Sequence, residues 1–226
     1  MLITCWSVKG GAGVSVVSAA LAGLLAERHG DALLVDLGGD QPGLLGLAEP
    51  SGDGVLDWCA SRSGPDVLTR LVIDAAPDLR LLPRGDGPLS ITADRAAELA
   101  MALSAMAPAV VIDAGVPLLA PADSTGLPTD EHPPGAYMRN CGSSLFVTRA
   151  CYLSLRRARR VQVDADGVIL LAEPGRALHS KDVAEILGLP IIGVVEVDPH
   201  VSTAVDAGSL VRRVPHTLAR GLRRAG

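Results

Sequence analysis

The run Lys9-Gly10-Gly11-Ala12-Gly13-Val14-Ser15 restricts what this chain can fold into more than any other feature. Leu2 to Ser7, just before it, is an apolar run of strand length, and from Ser15 to Arg28 small and apolar residues continue for the length of a helix. A strand that passes through a glycine-rich turn into a helix exposes backbone N–H groups beside the positive end of that helix, which makes a cradle for an anion such as phosphate. Ala32-Leu33-Leu34-Val35-Asp36 then predicts a fully buried strand ending in a carboxylate, with Gly38 and Gly39 opening a loop. Together these segments form one βαβ unit.

The alternation continues along the chain. Leu79 to Pro83, Ala109 to Asp113, Ser144 to Thr148, Gly167 to Leu171 and Ile191 to Val195 are further buried-strand candidates. Helices are expected around Ile91 to Met106, Leu153 to Arg160, Lys181 to Leu187 and Thr217 to Arg224. The expected fold class is α/β: a doubly wound, mostly parallel sheet of about seven strands with helices on both faces. At 226 residues one domain spanning 1–226 accommodates it. Hydrophobic residues make up 48% and aromatics only 2%, so the core must be packed with Ala, Val, Leu and Ile, as suits a parallel sheet under Ala-rich helices. Glu49 to Pro65 and Val116 to Gly142 break the rhythm with Gly, Pro, Ser and Asp, and the second is expected to be a flexible or functional loop.

A phosphate-binding loop of the usual pattern also supplies a Lys to the terminal phosphates and a Ser or Thr hydroxyl to magnesium. Here the hydroxyl is present at Ser15, but the residue before it is Val14. Lys9 to Ser15 resembles the deviant Walker A loop of ParA/MinD proteins, KGGxGK[ST], at all but that position. The resemblance extends to Leu33–Asp36, to Leu81-Leu82-Pro83, to the Walker B-like strand Val110-Val111-Ile112-Asp113, and to Gly188-Leu189-Pro190 with Ile191 to Asp198. It implies a P-loop NTPase fold. It also implies ATP and Mg2+ as cofactors, nucleotide-binding residues Lys9, Gly10, Gly11, Ala12, Gly13, Val14 and Ser15, and magnesium near Ser15, Asp36 and Asp113. In the family the lysine at the start of the loop reaches the ATP of the other subunit of a dimer, and Lys9 holds that place. Lys9 and Lys181 are the only lysines among 20 basic residues, so a lysine at this position is not compositional noise.

The sequence departs from the family pattern at the chemistry. Val14 removes the charge that would hold the β and γ phosphates. The first switch of the family is D-x-D, its second carboxylate orienting the attacking water, whereas Asp36-Leu37 is followed by Gly38. Asp40 is the candidate to stand in for that carboxylate if the loop rearranges. Leu171-Ala172-Glu173 occupies the place of an adenine-contacting Asn, and Glu196 that of a Pro in the segment closing the pocket. The expectation is a dimerising scaffold that recruits a protein partner, with ATP hydrolysis weak or absent. The alternatives are an active ATPase using Lys9 and Asp40, or a ligase-like enzyme on a small carboxylic or amide substrate.

Charge and composition narrow the rest. A net charge of −5 argues against wholesale binding to nucleic acid or an acidic membrane, leaving local contacts through Arg156, Arg157, Arg159 and Arg160 or through the arginines from Arg212 to Arg224. Those runs are read first as solvated helix faces. The four cysteines and five histidines show no metal-ligand spacing, and the thiols are expected to be reduced. No amino-terminal signal and no apolar run near the ~20 residues of a membrane span is present, so a cytoplasmic location is expected.

Overall fold

A computed structural model describes residues 1–117 and 131–225. In chain order the first half contains β1 (Leu2–Trp6), α1 (Val14–His29), β2 (Ala32–Asp36), α2 (Gln41–Leu44), α3 (Val55–Ala60), α4 (Pro65–Leu71), β3 (Ile73–Ala76), β4 (Leu79–Leu82), β5 (Ile91–Thr92), α5 (Ala93–Met106) and β6 (Ala109–Asp113). The second half contains β7 (Glu131–His132), α6 (Pro134–Met138), β8 (Ser143–Arg149), α7 (Tyr152–Arg160), β9 (Gly167–Ala172), α8 (Ser180–Leu187), β10 (Ile191–Glu196), α9 (Pro199–Asp206) and α10 (His216–Leu222).

The main sheet has eight strands in the order β10-β9-β8-β1-β6-β2-β4-β3, and every neighbouring pair is parallel except β3 with β4. The doubly wound α/β fold is as expected, with eight strands in place of about seven. The additional strand is β3, whose Ile-Asp-Ala-Ala carries no apolar run. It forms because the chain turns back at Asp78, which takes the left-handed conformation (φ 58) that Asp tolerates, and pairs antiparallel along the edge of β4. A separate pair, β5 with β7, ties the start of α5 to residues 131–132.

Successive residues of the central strands point to opposite faces. Ile3, Cys5, Leu34 and Val111 pack towards α1, whereas Leu2, Leu33, Val35, Val110 and Ile112 pack towards the side of α3, α4 and α5. Helix α1 is apolar around most of its circumference, so it is buried across the middle of the sheet rather than lying half in water. It stops where Gly30 adopts φ 74 and its N–H reaches the Ala26 carbonyl, a left-handed C-cap.

Glu49 to Pro65 is not structureless: α3 forms inside it, with the Asp57 carboxylate accepting the Gly54 N–H at 2.8 Å at its start. Of the stretch Val116 to Gly142, residues 118–130 lie outside the described residues, and the part after them holds β7 and α6. Cys5 and Cys59 are buried, Cys151 is half-buried and Cys141 exposed, and all four are free thiols. Trp6 and Trp58 are both buried, Trp6 tilted against Phe146 and Trp58 under the Arg95 guanidinium, so both pack rather than offer a stacking platform.

Candidate nucleotide site

Strand β1 lies between β6 and β8, where the sheet changes its winding direction, and the glycine-rich loop leaves its carboxyl end at that point. The loop is tied down by Ser7, whose N–H donates to the Gly115 carbonyl at 2.9 Å, and by Val17, whose N–H reaches the Gly13 carbonyl at 3.0 Å. Gly13 is the N-cap of α1 at φ 89, and an added Cβ there would come within 2.5 Å of Leu171 Cδ2. That position needs glycine on both counts. Around Gly10 and Gly11 there is open space.

The loop from Lys9 to Ser15 lines a cavity of about 510 Å3 whose other walls include Gly38, Asp40 and Gly115. Lys9 is half-buried at its rim. Val14 touches the cavity yet is only 6% exposed and packs into the core on the α1 side, so the place of the phosphate-holding lysine is taken by a core residue. A second hollow of about 260 Å3 adjoins the first, sharing Gly13, Val16 and Val205, and runs between Leu171, Arg149 and the segment from Val195 to Val201. Glu173, in the region of the missing Asn, is held by Arg149 at 2.6 Å and by Arg176 at 2.6 Å. Glu196 is exposed and lies 3.5 Å from Arg220.

Register explains the acidic pair beneath the loop. Asp36 at the end of β2 is aligned with Asp113 at the end of β6, and Cys5 of β1 is aligned with Asp113 on its other side. Both carboxyls are wholly buried. Asp36 accepts N–H groups from Gly38 at 3.0 Å, Gly39 at 2.6 Å and Gln41 at 3.1 Å, so it shapes the loop that follows it. Burial pushes its carboxyl up to about 6, against the pull of the Gly39 amide and with a further push from Asp113. Asp113 is raised too, chiefly by burial, while the Ser15 hydroxyl, the Gln41 amide and the Gly115 N–H stabilise its charged form.

Of the expected metal-site residues, Ser15 lies near enough to Asp113 for its hydroxyl to favour the charged carboxylate, whereas Asp36 spends its oxygens on the loop's own amides. Among the described residues no three His, Cys, Asp or Glu side chains form a metal cluster. The hydroxyl of Ser15 and the carboxylate of Asp113 are oxygen donors of the kind a hard divalent cation takes. Asp40 is exposed on the cavity wall together with Gly38 and Ser15. Gln41 is the residue that sequence reasoning missed: its Nε2 donates to Asp113 Oδ2 at 2.8 Å and to the Ser15 carbonyl at 3.1 Å. No motif announces it, and its only signal is an amide side chain among glycines and prolines.

Arg156, Arg157, Arg159 and Arg160 are all exposed on α7, as a solvated face would be, with Arg157 also reaching back to the Val8 carbonyl at 3.3 Å. No helix among the described residues is long and apolar enough to cross a membrane.

Comparison with curated proteins returns no match. Among solved structures, the chain is similar to MinD in a MinC:MinD cell division protein complex from Aquifex aeolicus (19% identity, 99% of this chain and 94% of that chain, TM-score 0.74). It is also similar to the septum site-determining protein MinD complexed with Mg-ADP from Pyrococcus horikoshii (18%, 99% and 93%, TM-score 0.69). A ParA family ATPase from Chlorobium tepidum matches at 18% identity over 98% of this chain and 95% of that one, with TM-score 0.71. Residues 3–211 match the CobQ/CobB/MinD/ParA nucleotide binding domain, and the chain belongs to that family.

Proposed function

We propose that this protein is a ParA/MinD-like positioning or scaffold protein that takes a Mg-nucleotide in an altered pocket, turns it over slowly if at all, and acts by dimerisation and recruitment of a protein partner. The observation that carries this reading is the split between cradle and chemistry. The glycine loop, its open cavity, Lys9 and the pairing of Ser15 with the nearby Asp113 carboxyl are in place, while Val14 is packed into the core and Gly38 offers no carboxylate. The Pyrococcus horikoshii relative is complexed with Mg-ADP and the Aquifex aeolicus relative with MinC, which supports a nucleotide and a protein partner here.

Backbone N–H groups of Gly10 to Ser15 would donate to the phosphates, aided by the positive end of α1. The family resemblance gives Lys9 its place at a partner subunit's nucleotide. Ser15 and Asp113 would hold Mg2+, which when bound offsets phosphate charge. Without a lysine at position 14 the terminal phosphates lose a charge-assisted contact, an effect on the order of 2–4 kcal/mol on phosphoryl transfer. A nucleotide of this kind works as a ligand that favours the dimeric, partner-competent state. The exposed Asp40 on the cavity wall favours one second reading, an active ATPase in which that carboxylate orients the attacking water.

Calorimetric titration of the protein with ATP and ADP, with and without Mg2+, tests the main reading, followed by phosphate release. Magnesium-dependent nucleotide binding with little release is the expected result. Brisk release lost in Asp40→Asn establishes the second reading, and absence of binding even at millimolar nucleotide refutes both.

A further inference from the structure

Gln41 is wholly buried where β2 and β6 end, and it is held at both ends. Its backbone N–H donates to Asp36 Oδ2 at 3.1 Å, while its Nε2 bridges Asp113 Oδ2 and the Ser15 carbonyl. The amide oxygen, Oε1, is buried and has no hydrogen-bond partner among the described residues. Burying an unmet acceptor is unfavourable, and native structures keep one where something else uses it. This one belongs to a side chain that already touches Ser15 and Asp113, the two residues the site offers to a cation. The spot that Nε2 fills is flanked by oxygens from two elements, the environment a hard divalent cation takes.

We propose that Gln41 is a cation-linked positioning residue. In the cation-free protein its NH2 group holds the Ser15 loop and Asp113 together in the cation's stead. With Mg2+ present, Oε1 serves the cation or its bound water as a neutral oxygen, at a site where Gly38 supplies no carboxylate. The inference rests on the reading that the pocket accepts a Mg-nucleotide.

The test uses Mn2+ as the probe, following free Mn2+ by electron paramagnetic resonance in the presence and absence of ADP. Gln41→Leu should weaken Mn2+ binding about tenfold or more, the range found when an outer-shell partner of a metal ligand is removed. Gln41→Glu, which keeps an oxygen, should retain binding. A role confined to holding α2 in place predicts lower melting temperatures for both variants and unchanged Mn2+ affinity. The wild-type chain gives a second readout that does not depend on any variant folding: the side-chain NH2 resonances of Gln41 should move on adding Mg2+ with ADP and stay in place with ADP and chelator. Mn2+ affinity indifferent to Gln41→Leu, or NH2 resonances indifferent to Mg2+, overturns the inference alone. A wild-type chain that binds no Mn2+ with or without ADP overturns the functional reading along with it.

Discussion

Restoring the carboxylate that the family places at position 38 should destabilise this protein rather than simply switch it on. Gly38 has no left-handed backbone to protect, and an added Cβ would sit 3.4 Å from Asp113 Oδ2 and 3.7 Å from the other carboxyl atoms, so Gly38→Asp fits sterically. Its cost is electrostatic. The new carboxylate would lie about 5 Å from that of Asp113, and at an effective dielectric of ~20 two such charges repel by about 3 kcal/mol. Asp36, aligned with Asp113 across the β2–β6 pair, adds to the crowding.

In chelator at about pH 7.5 the variant should therefore lose roughly 1–2 M in its urea midpoint. The loss has a defined pH dependence. A carboxyl whose pKa is raised by folding binds its proton more tightly in the folded state, so stability falls as the pH rises through the raised value and is regained on acidification. Asp36 is itself pushed from 3.8 to about 6, so the gap between variant and wild type should narrow as the pH is lowered towards that value and below. Mg2+ with ADP should narrow it too, since a cation between the carboxylates removes the repulsion and ligand binding stabilises by mass action. Equal urea midpoints for Gly38→Asp and wild type in chelator at about pH 7.5 would refute the close approach of position 38 to Asp113.

Val14→Lys should tighten ADP binding about 10- to 100-fold by calorimetry through a charge-assisted contact, while costing about 1–2 kcal/mol in denaturant unfolding because a buried valine leaves the core. Because positions 14 and 38 line one cavity, the Val14→Lys/Gly38→Asp double variant should be about 1 kcal/mol or more stabler than the two single costs added together, as a double-mutant cycle on urea midpoints would register. Gly13→Ala should lose about 1–3 kcal/mol and most nucleotide binding, since it meets both positive φ and Leu171, whereas Gly10→Ala should stay within about 0.5 kcal/mol of wild type. With iodoacetamide at neutral pH, mass spectrometry should find Cys151 labelled first. Partial burial raises its thiol, but the Ser154 hydroxyl and amide and the charges of Lys9 and Arg176 bring it below the usual value, whereas burial pushes Cys5 and Cys59 up to about 12.

The seven parallel strands of the main sheet were legible because each is built on a short apolar run that a doubly covered sheet can bury, and their ends fall within a residue or two of the expected bounds. The elements that escaped are held by contacts distant in sequence. Strand β3 has an edge to pair with but no hydrophobic signature. Helix α3 and the turn after it are fastened by Arg95, which donates to the carbonyls of Trp58 and Ser63 and stacks over the Trp58 ring at 3.4 Å. No window along the chain contains both partners of such a contact.

At the site, loop spacing could be read directly, because a phosphate cradle is a local object, whereas the meaning of its departures could not. The sequence lists Val14 and Gly38 as two separate losses; the structure puts both on one cavity above the buried pair Asp36 and Asp113. One change removes a positive charge and the other a negative one. A carboxylate at position 38 without a lysine at position 14 would add a third acidic group to the buried pair beneath the loop, with Lys9 only at the cavity's rim. Losing both leaves the local charge where the family pattern had it, and the neutral amide of Gln41 bridges what remains. The two departures are in this sense one change, and on the proposed reading it keeps the cradle while weakening the two contacts, terminal phosphate and attacking water, on which rapid hydrolysis depends.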